Sequence, residues 1–108
     1  MVEDKTLQKA LAELKERIAA TYPVVRFTLF GSAARGEMDE ESDVDLLVLT
    51  EKPLMWKERD AISDETFRVN LRYDTNISVL IVDLHNWEAG PISVMPIREE
   101  IRQEGIEL

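Results

Sequence analysis

The alternation of helical and extended hydrophobic patterns most constrains what this chain can fold into. Near the start, apolar residues recur at spacings of four, three and four, which places them on one face of a helix: Leu7, Leu11, Leu14 and Ile18. Asp4 or Thr6 is positioned to cap this helix. Pro23 predicts that it ends near residues 20–22, because proline is not accommodated in a helix interior.

Three short runs rich in β-branched and aliphatic residues predict strands at Val24–Phe30, Asp43–Leu49 and Asn76–Val82. Between the first two, Gly31–Gly36 suits a turn and a short helix closed by glycine, followed by a polar acidic loop over residues 37–42.

The second half of the chain adds predicted helices. Leu54–Tyr73 predicts a long one with four residues on a shared stripe: Ile62, Thr66, Val69 and Tyr73. A short helix beginning near Trp87 and a last one over Pro96–Gln103, with Ile97 and Ile101 inward, follow the third strand. The predicted order is helix, strand, short helix, strand, helix, strand, helix.

Length and composition narrow the class of protein. A chain of 108 residues with 44 % hydrophobic residues predicts one domain over residues 1–108. The absence of cysteine excludes disulfides and thiolate sites. No apolar run reaches the roughly 18 residues of a membrane span, and the polar first residues predict no signal peptide, so we expect a cytoplasmic protein with no membrane partner. The net charge of −9 argues against direct nucleic-acid binding but permits a local phosphate site with divalent cations.

A glycine and a serine follow the first predicted strand. Backbone N–H groups at such a strand-to-helix turn are available to a phosphate, and the helix dipole favours an anion there. Ser32 adds a hydroxyl donor beside Gly31, and Arg35 lies one helical turn further on. Taken alone, the same residues also fit an ordinary turn capped by serine.

Two acids open the second predicted strand. Asp43 and Asp45 are two residues apart, so in a strand their carboxylates share a face with Cα atoms roughly 7 Å apart. Such hard oxygen ligands suit Mg²⁺, which usually binds one or two carboxylates together with substrate phosphates. The alternative to a metal site is that both acids are simply solvated at the exposed start of a strand. The apolar run Leu46–Leu49 favours the metal site, because it leads directly into a core.

Other motifs that bind phosphate or metal are absent from the sequence. The aliphatic run after Asp45 does not supply the further ligands and glycine of an EF-hand, and neither a Walker A motif nor Gly-x-Gly-x-x-Gly occurs. His85 is the only histidine, so no histidine pair exists for zinc.

The two elements together carry a resemblance. Phe30–Gly36, followed after the acidic loop by residues 42–48, is similar to the signature of the minimal nucleotidyltransferases in the polymerase-β-like superfamily. Ten residues separate Gly31-Ser32 from Asp43, as in that family, and the likeness covers most of the chain. The resemblance implies an α/β (α+β) fold with a small mixed sheet flanked by helices. It also implies an enzyme that transfers a nucleoside monophosphate from an NTP to a hydroxyl acceptor. ATP is the favoured donor and AMP the favoured group.

The resemblance also implies roles for individual residues. Gly31 and Ser32 would hold the β- and γ-phosphates, with Arg35 as a further phosphate contact or a partner of the neighbouring acids. Asp43 and Asp45 would be the catalytic acids that ligate Mg²⁺. The family places a third carboxylate on a neighbouring strand, where this sequence has Ser78.

Because Ser78 stands where the family has a third carboxylate, a second function remains open. The family implies a HEPN-type helical protein as partner, with this chain as an antitoxin that attaches AMP to it. Because a hydroxyl is a poor base at neutral pH, the alternative is an inactive module that neutralises its partner by binding. Its contacts with the partner would come from exposed apolar residues such as Met55, Trp56 and Trp87. The alternative interpretation of these three residues is that they belong to the core or its rim.

Overall fold

The computed structural model describes residues 4–37 and 43–108, and most of the predicted acidic loop lies outside them. The elements follow in this order: α1 Lys5–Thr21, β1 Val24–Phe30, α2 Ser32–Arg35, β2 Val44–Thr50, α3 Trp56–Tyr73, β3 Ile77–Asp83, α4 Leu84–Glu88, a 3₁₀ turn Pro91–Val94, α5 Pro96–Glu104 and β4 Ile106–Glu107.

The first helix forms as its sequence predicts. Asp4 is the N-cap, and its Oδ1 accepts hydrogen bonds from the backbone N–H groups of Thr6 at 2.9 Å and Leu7 at 3.2 Å. The predicted apolar stripe is buried, together with Ala10. The predicted stripe of α3 also faces the core, with Ile62, Thr66 and Val69 buried and Tyr73 partly buried.

The four strands form one mixed sheet in the order β3-β2-β1-β4. β2 and β3 are parallel, whereas β1 is antiparallel to both β2 and β4. Alternate β2 residues face opposite sides. Val44, Leu46 and Val48 pack in the core under α1 and α3, while Leu47 and Leu49 pack against Phe30, Trp87 and Ile101. The predicted mixed sheet flanked by helices is confirmed.

Several local features differ from the sequence prediction. Helix α3 begins two residues later than predicted, at Trp56, and α5 ends one residue later, at Glu104. Strands β2 and β3 each begin and end one residue later than predicted, and the short strand β4 was not predicted. Trp87 lies inside α4 rather than at its start, because Asp83 caps that helix three residues earlier than expected. Trp87 is also buried, at 4 % exposure, so it offers no surface contact, whereas Met55 and Trp56 are 69 % and 66 % exposed.

Among the described residues, no helix combines the length and apolar character needed to cross a membrane.

Candidate active site

A tight turn links β1 to α2 at the edge of the sheet. Gly31 adopts φ +70° and ψ −150°, a backbone conformation essentially restricted to glycine, and Ser32 begins the helix. The turn is closed by hydrogen bonds from the Arg35 N–H to the Gly31 carbonyl, at 3.2 Å, and from the Glu37 N–H to the Ser32 carbonyl, at 2.9 Å. Gly36, with φ +71°, ends α2 in the left-handed conformation, as the sequence predicts.

Asp45 lies directly against this turn. It is the second residue of β2, paired with Phe30 on β1, and partly buried. A Cβ atom placed on Gly31 would be 2.5 Å from Asp45 Oδ2, so only a residue without a side chain permits this approach. The structure therefore brings the predicted phosphate turn and one of the two predicted acids into contact.

Asp43 precedes β2 and is held by Asn76, the residue just before β3. Asn76 donates a short side-chain hydrogen bond from Nδ2 to Asp43 Oδ1, and its backbone carbonyl accepts from the Val44 N–H at 2.9 Å. Asn70 of α3 in turn holds the start of β3, since its side chain both donates to the Ile77 carbonyl and accepts from the Ile77 N–H, each at 2.9 Å. The orientation of Asp43 thus depends on a hydrogen-bond chain that runs back to α3.

The two acids create a site of concentrated negative charge. Burial raises the pKa of Asp45, and the nearby charge of Asp43 raises it further. The charge of Arg35 lowers the same pKa, while that of Glu100 raises it. The ionised form of Asp45 is therefore less stable than that of a free aspartate, and a bound cation would favour it.

Arg35 is engaged by three glutamates. Its Nε lies 3.2 Å from Glu37 Oε2, and its Nη1 lies 3.3 Å from Glu100 Oε1 and 3.2 Å from Glu104 Oε2. The hydrogen bond to Glu37, followed by the one to Glu104, raises the pKa of Arg35. The pairing with Glu37 agrees with the alternative considered from sequence. The sequence did not predict that Glu100 and Glu104 contact Arg35, because only the packing of α5 brings them near it. Their four-residue spacing indicates only that they share a helix face.

Ser78 occupies the position across from Asp45. The two are register partners in the parallel pair of β2 and β3, and Ser78 is exposed. The flanking acids serve elsewhere: Asp83 caps α4 by accepting from the Asn86 N–H at 3.0 Å, and Asp74 ends α3 with φ +53°. Within residues 4–37 and 43–108, no three His, Cys, Asp or Glu side chains form a metal cluster.

The donor set nevertheless fits Mg²⁺ that arrives with a nucleotide. Two carboxylates share one face at the mouth of a buried strand, and burial followed by the charge of Asp43 raises the pKa of Asp45, which a bound cation would lower. Mg²⁺ commonly takes only one or two protein carboxylates and completes its shell with water and phosphate oxygens.

Comparison with known proteins agrees with this geometry. The profile of the nucleotidyltransferase domain family matches residues 8–106. The chain belongs to this family. As a nucleotidyltransferase domain, it places the glycine-serine turn and the acid pair at the same sheet edge.

Individual relatives add detail. A Methanocaldococcus jannaschii protein provisionally named a protein adenylyltransferase is 48 % identical over 56 residues, which are 52 % of this chain and 57 % of that protein. The nucleotidyltransferase domain thus spans little more than half the length of this curated relative.

Solved structures share the fold. One described provisionally as a minimal nucleotidyltransferase has a TM-score of 0.67 at 25 % identity, over 96 % of this chain and 94 % of its own. A provisionally described nucleotidyltransferase from Sulfolobus solfataricus has a TM-score of 0.58 at 18 % identity, over 94 % and 80 % of the two chains. A toxin–antitoxin crystal structure with AMP-PNP has a TM-score of 0.64 at 15 % identity, over 92 % and 69 %. The last two likenesses concern the fold alone.

Proposed function

We propose that this nucleotidyltransferase domain transfers AMP from ATP to a hydroxyl group of a partner protein, in a reaction that depends on Mg²⁺. The observation that carries the proposal is the contact between the Gly31 turn and Asp45, which would place nucleotide phosphates and metal ligands within one small site. The relative named as a protein adenylyltransferase supports AMP as the transferred group and a protein as the acceptor.

The described residues supply positioning and charge. The backbone of Gly31 and the hydroxyl of Ser32 would receive the β- and γ-phosphates, because the turn presents N–H groups and lacks a side chain that would block approach. Asp43 and Asp45 would hold Mg²⁺, which when bound neutralises the triphosphate and stabilises the charge that develops in transfer. Asn76 keeps Asp43 oriented through its side-chain hydrogen bond. Arg35 would add a phosphate contact by exchanging one of its glutamate partners for the nucleotide.

The biological setting that we propose is a toxin–antitoxin pair. The similar fold of a toxin–antitoxin structure that contains AMP-PNP supports it. In this setting residues 1–108 act as one minimal domain in the cytoplasm, and the acceptor is a HEPN-type helical protein that is silenced when AMP is attached.

The test is transfer of label from ATP labelled at the α-phosphorus. The chain is incubated with Mg²⁺ and the protein encoded beside it, and labelled protein is detected after electrophoresis. Label on that protein is expected for the wild type and is expected to disappear in an Asp43→Asn, Asp45→Asn double variant. A matched control, Asp60→Asn with Asp64→Asn, removes two exposed carboxylates of α3 and should transfer normally. Equal labelling by the wild type and the active-site variant would reject catalysis by this acid pair.

Ser78 favours a second candidate function. A hydroxyl across from Asp45 provides neither the negative charge nor the basicity of a carboxylate. The chain would then neutralise its partner by binding alone. In that case the Asp43→Asn, Asp45→Asn variant should still suppress the partner's toxicity in cells. Loss of suppression, with folding and complex formation intact, would decide for catalysis.

A further inference from the structure

Two glutamates of α5 reach the short helix that follows the phosphate turn. Arg35 is the last residue of that helix, which begins at Ser32. Its Nη1 lies 3.3 Å from Glu100 Oε1 and 3.2 Å from Glu104 Oε2. Residues four apart are neighbours on a helix surface, so both glutamates approach the guanidinium from one side of α5. Glu37 contacts the Nε of Arg35 at 3.2 Å. The group that the sequence predicts as a phosphate contact is thus occupied by carboxylates.

Negative charge exceeds positive charge around this guanidinium. Among the described residues, three carboxylates pair with one arginine, which leaves an excess of negative charge. Burial and then the charge of Asp43 raise the pKa of Asp45 most. The charge of Arg35 lowers this pKa and that of Glu100 raises it, so both side chains lie near the acid pair. Phosphates at the Gly31 turn would therefore meet a carboxylate beside the arginine that would bind them.

The ion pairs with α5 are exchangeable without movement of the helix. The side chains of Arg35, Glu100 and Glu104 are 35 %, 49 % and 43 % exposed, and an exposed ion pair typically alters an equilibrium by no more than about fivefold. Hydrogen bonds between a guanidinium and a phosphate are often bidentate and stronger. The buried side chain of Ile101 anchors α5 against the sheet, so the glutamates can release Arg35 while their backbone stays in place.

We propose that Glu100 and Glu104 are positioning residues that compete with the triphosphate for Arg35 and thereby set how tightly the site binds a nucleotide. The inference rests on the proposed function, since it takes the Gly31 turn as the place of the β- and γ-phosphates. Incoming phosphates displace the two glutamates from the guanidinium, which lowers the affinity for the nucleotide. After AMP is transferred, the same competition favours release of the pyrophosphate that remains.

A purely structural role for these glutamates predicts the opposite result. If they only fasten α2 to α5, their removal loosens the phosphate turn and weakens nucleotide binding. If they compete for Arg35, their removal tightens nucleotide binding. The sign of the change in affinity therefore separates the two roles.

The experiment measures binding of α,β-methylene-ATP with Mg²⁺ by calorimetry, because the carbon bridge between its α- and β-phosphates blocks transfer. A Glu100→Gln, Glu104→Gln double variant keeps the side-chain size and removes both charges. We expect it to bind about five- to tenfold more tightly than the wild type. The matched control, Glu99→Gln with Glu107→Gln, removes two exposed carboxylates, the first of which pairs with Arg102. It should change the affinity by less than about twofold.

The same Glu100→Gln, Glu104→Gln pair in an Arg35→Gln background separates competition from charge repulsion. With no guanidinium to compete for, the gain in affinity should shrink to about twofold or less. An equal gain in both backgrounds, or no gain over the control, would overturn the inference. If the double variant does not fold by circular dichroism, Glu104→Gln alone takes its place and should tighten binding about two- to threefold. Absence of nucleotide binding in the wild type and in every variant would instead reject the proposed function.

Discussion

Replacing Gly31 with alanine tests the contact on which the candidate active site depends. At φ +70° and ψ −150°, a residue other than glycine costs about 1–3 kcal/mol in backbone strain. The new Cβ would also lie 2.5 Å from Asp45 Oδ2, and moving this side-chain end away costs about 1 kcal/mol more, the lower end of overpacking costs. We therefore expect Gly31→Ala to lower the free energy of unfolding by about 2–4 kcal/mol and to displace the Asp45 carboxylate.

Gly36→Ala is the matched control. Gly36 also has a positive φ, +71°, but a Cβ there would meet nothing within 4 Å. The expected cost is only the left-handed backbone term of about 1–2 kcal/mol. In thermal unfolding, where about 1 kcal/mol shifts the midpoint of a domain of this size by roughly 4–8 °C, Gly31→Ala should melt below Gly36→Ala. Transfer of AMP should be lost in the first variant and retained in the second.

A double-variant cycle isolates the contact with the carboxylate. In an Asp45→Ala background the oxygen that the new Cβ meets is gone, so Gly31→Ala should cost about 1 kcal/mol less than in the wild type. Urea denaturation of the four proteins measures this coupling. Equal costs in both backgrounds would refute the claim that the turn and Asp45 are in contact.

Three further predictions concern the acid pair. Burial and the charge of Asp43 raise the pKa of Asp45, so the folded state binds the proton of this carboxyl more tightly than the unfolded chain does. The free energy of unfolding therefore falls as pH rises from the ordinary pKa of 3.8 through the raised pKa of the folded state. Asp45→Asn should accordingly melt higher than the wild type near pH 7, with the difference shrinking as pH falls toward 3; a constant difference would contradict the raised pKa. Asn76→Ala should weaken Mg²⁺ binding by about tenfold in calorimetry, since it frees the Asp43 carboxylate from its orienting donor, and unchanged affinity would remove Asn76 from this role. Ser78→Asp should strengthen Mg²⁺ binding by adding a carboxylate across from Asp45, whereas Ser78→Ala should not, and calorimetry that ranks the two equally would argue against Ser78 as the third position.

Local sequence patterns predicted most elements because they need only local physics. The 3.6-residue apolar spacing that begins at Leu7 and the β-branched run at Val24–Phe30 both formed as expected, since each buries one continuous face or segment. Strand β4 was not predicted, because a strand of two residues has too little pattern of its own. It exists through its pairing with Thr28 and Leu29, which are far away in sequence.

The candidate site was predictable to the extent that its parts lie close together in the chain. A two-residue spacing on a strand is enough to place Asp43 and Asp45 on one face, and the resemblance paired them with Gly31. The Asn76 hydrogen bond to Asp43 and the three glutamates around Arg35 join separate elements, so no spacing rule reveals them. Trp87 shows the same limit: its burial beside two arginines follows from how α4 and α5 pack on the sheet.

The sequence by itself determined which segments are helices and strands, where the glycine turn falls, and that two carboxylates stand together at a strand mouth. These depend on backbone propensity and periodicity, which act over a few residues. Tertiary structure alone decided that Asp45 touches Gly31, that Arg35 is held by α5, and that the guanidinium groups of Arg26 and Arg98 lie over the ring of Trp87. Each of these depends on distances between elements, and those are set by how the sheet and helices exclude water from a shared core.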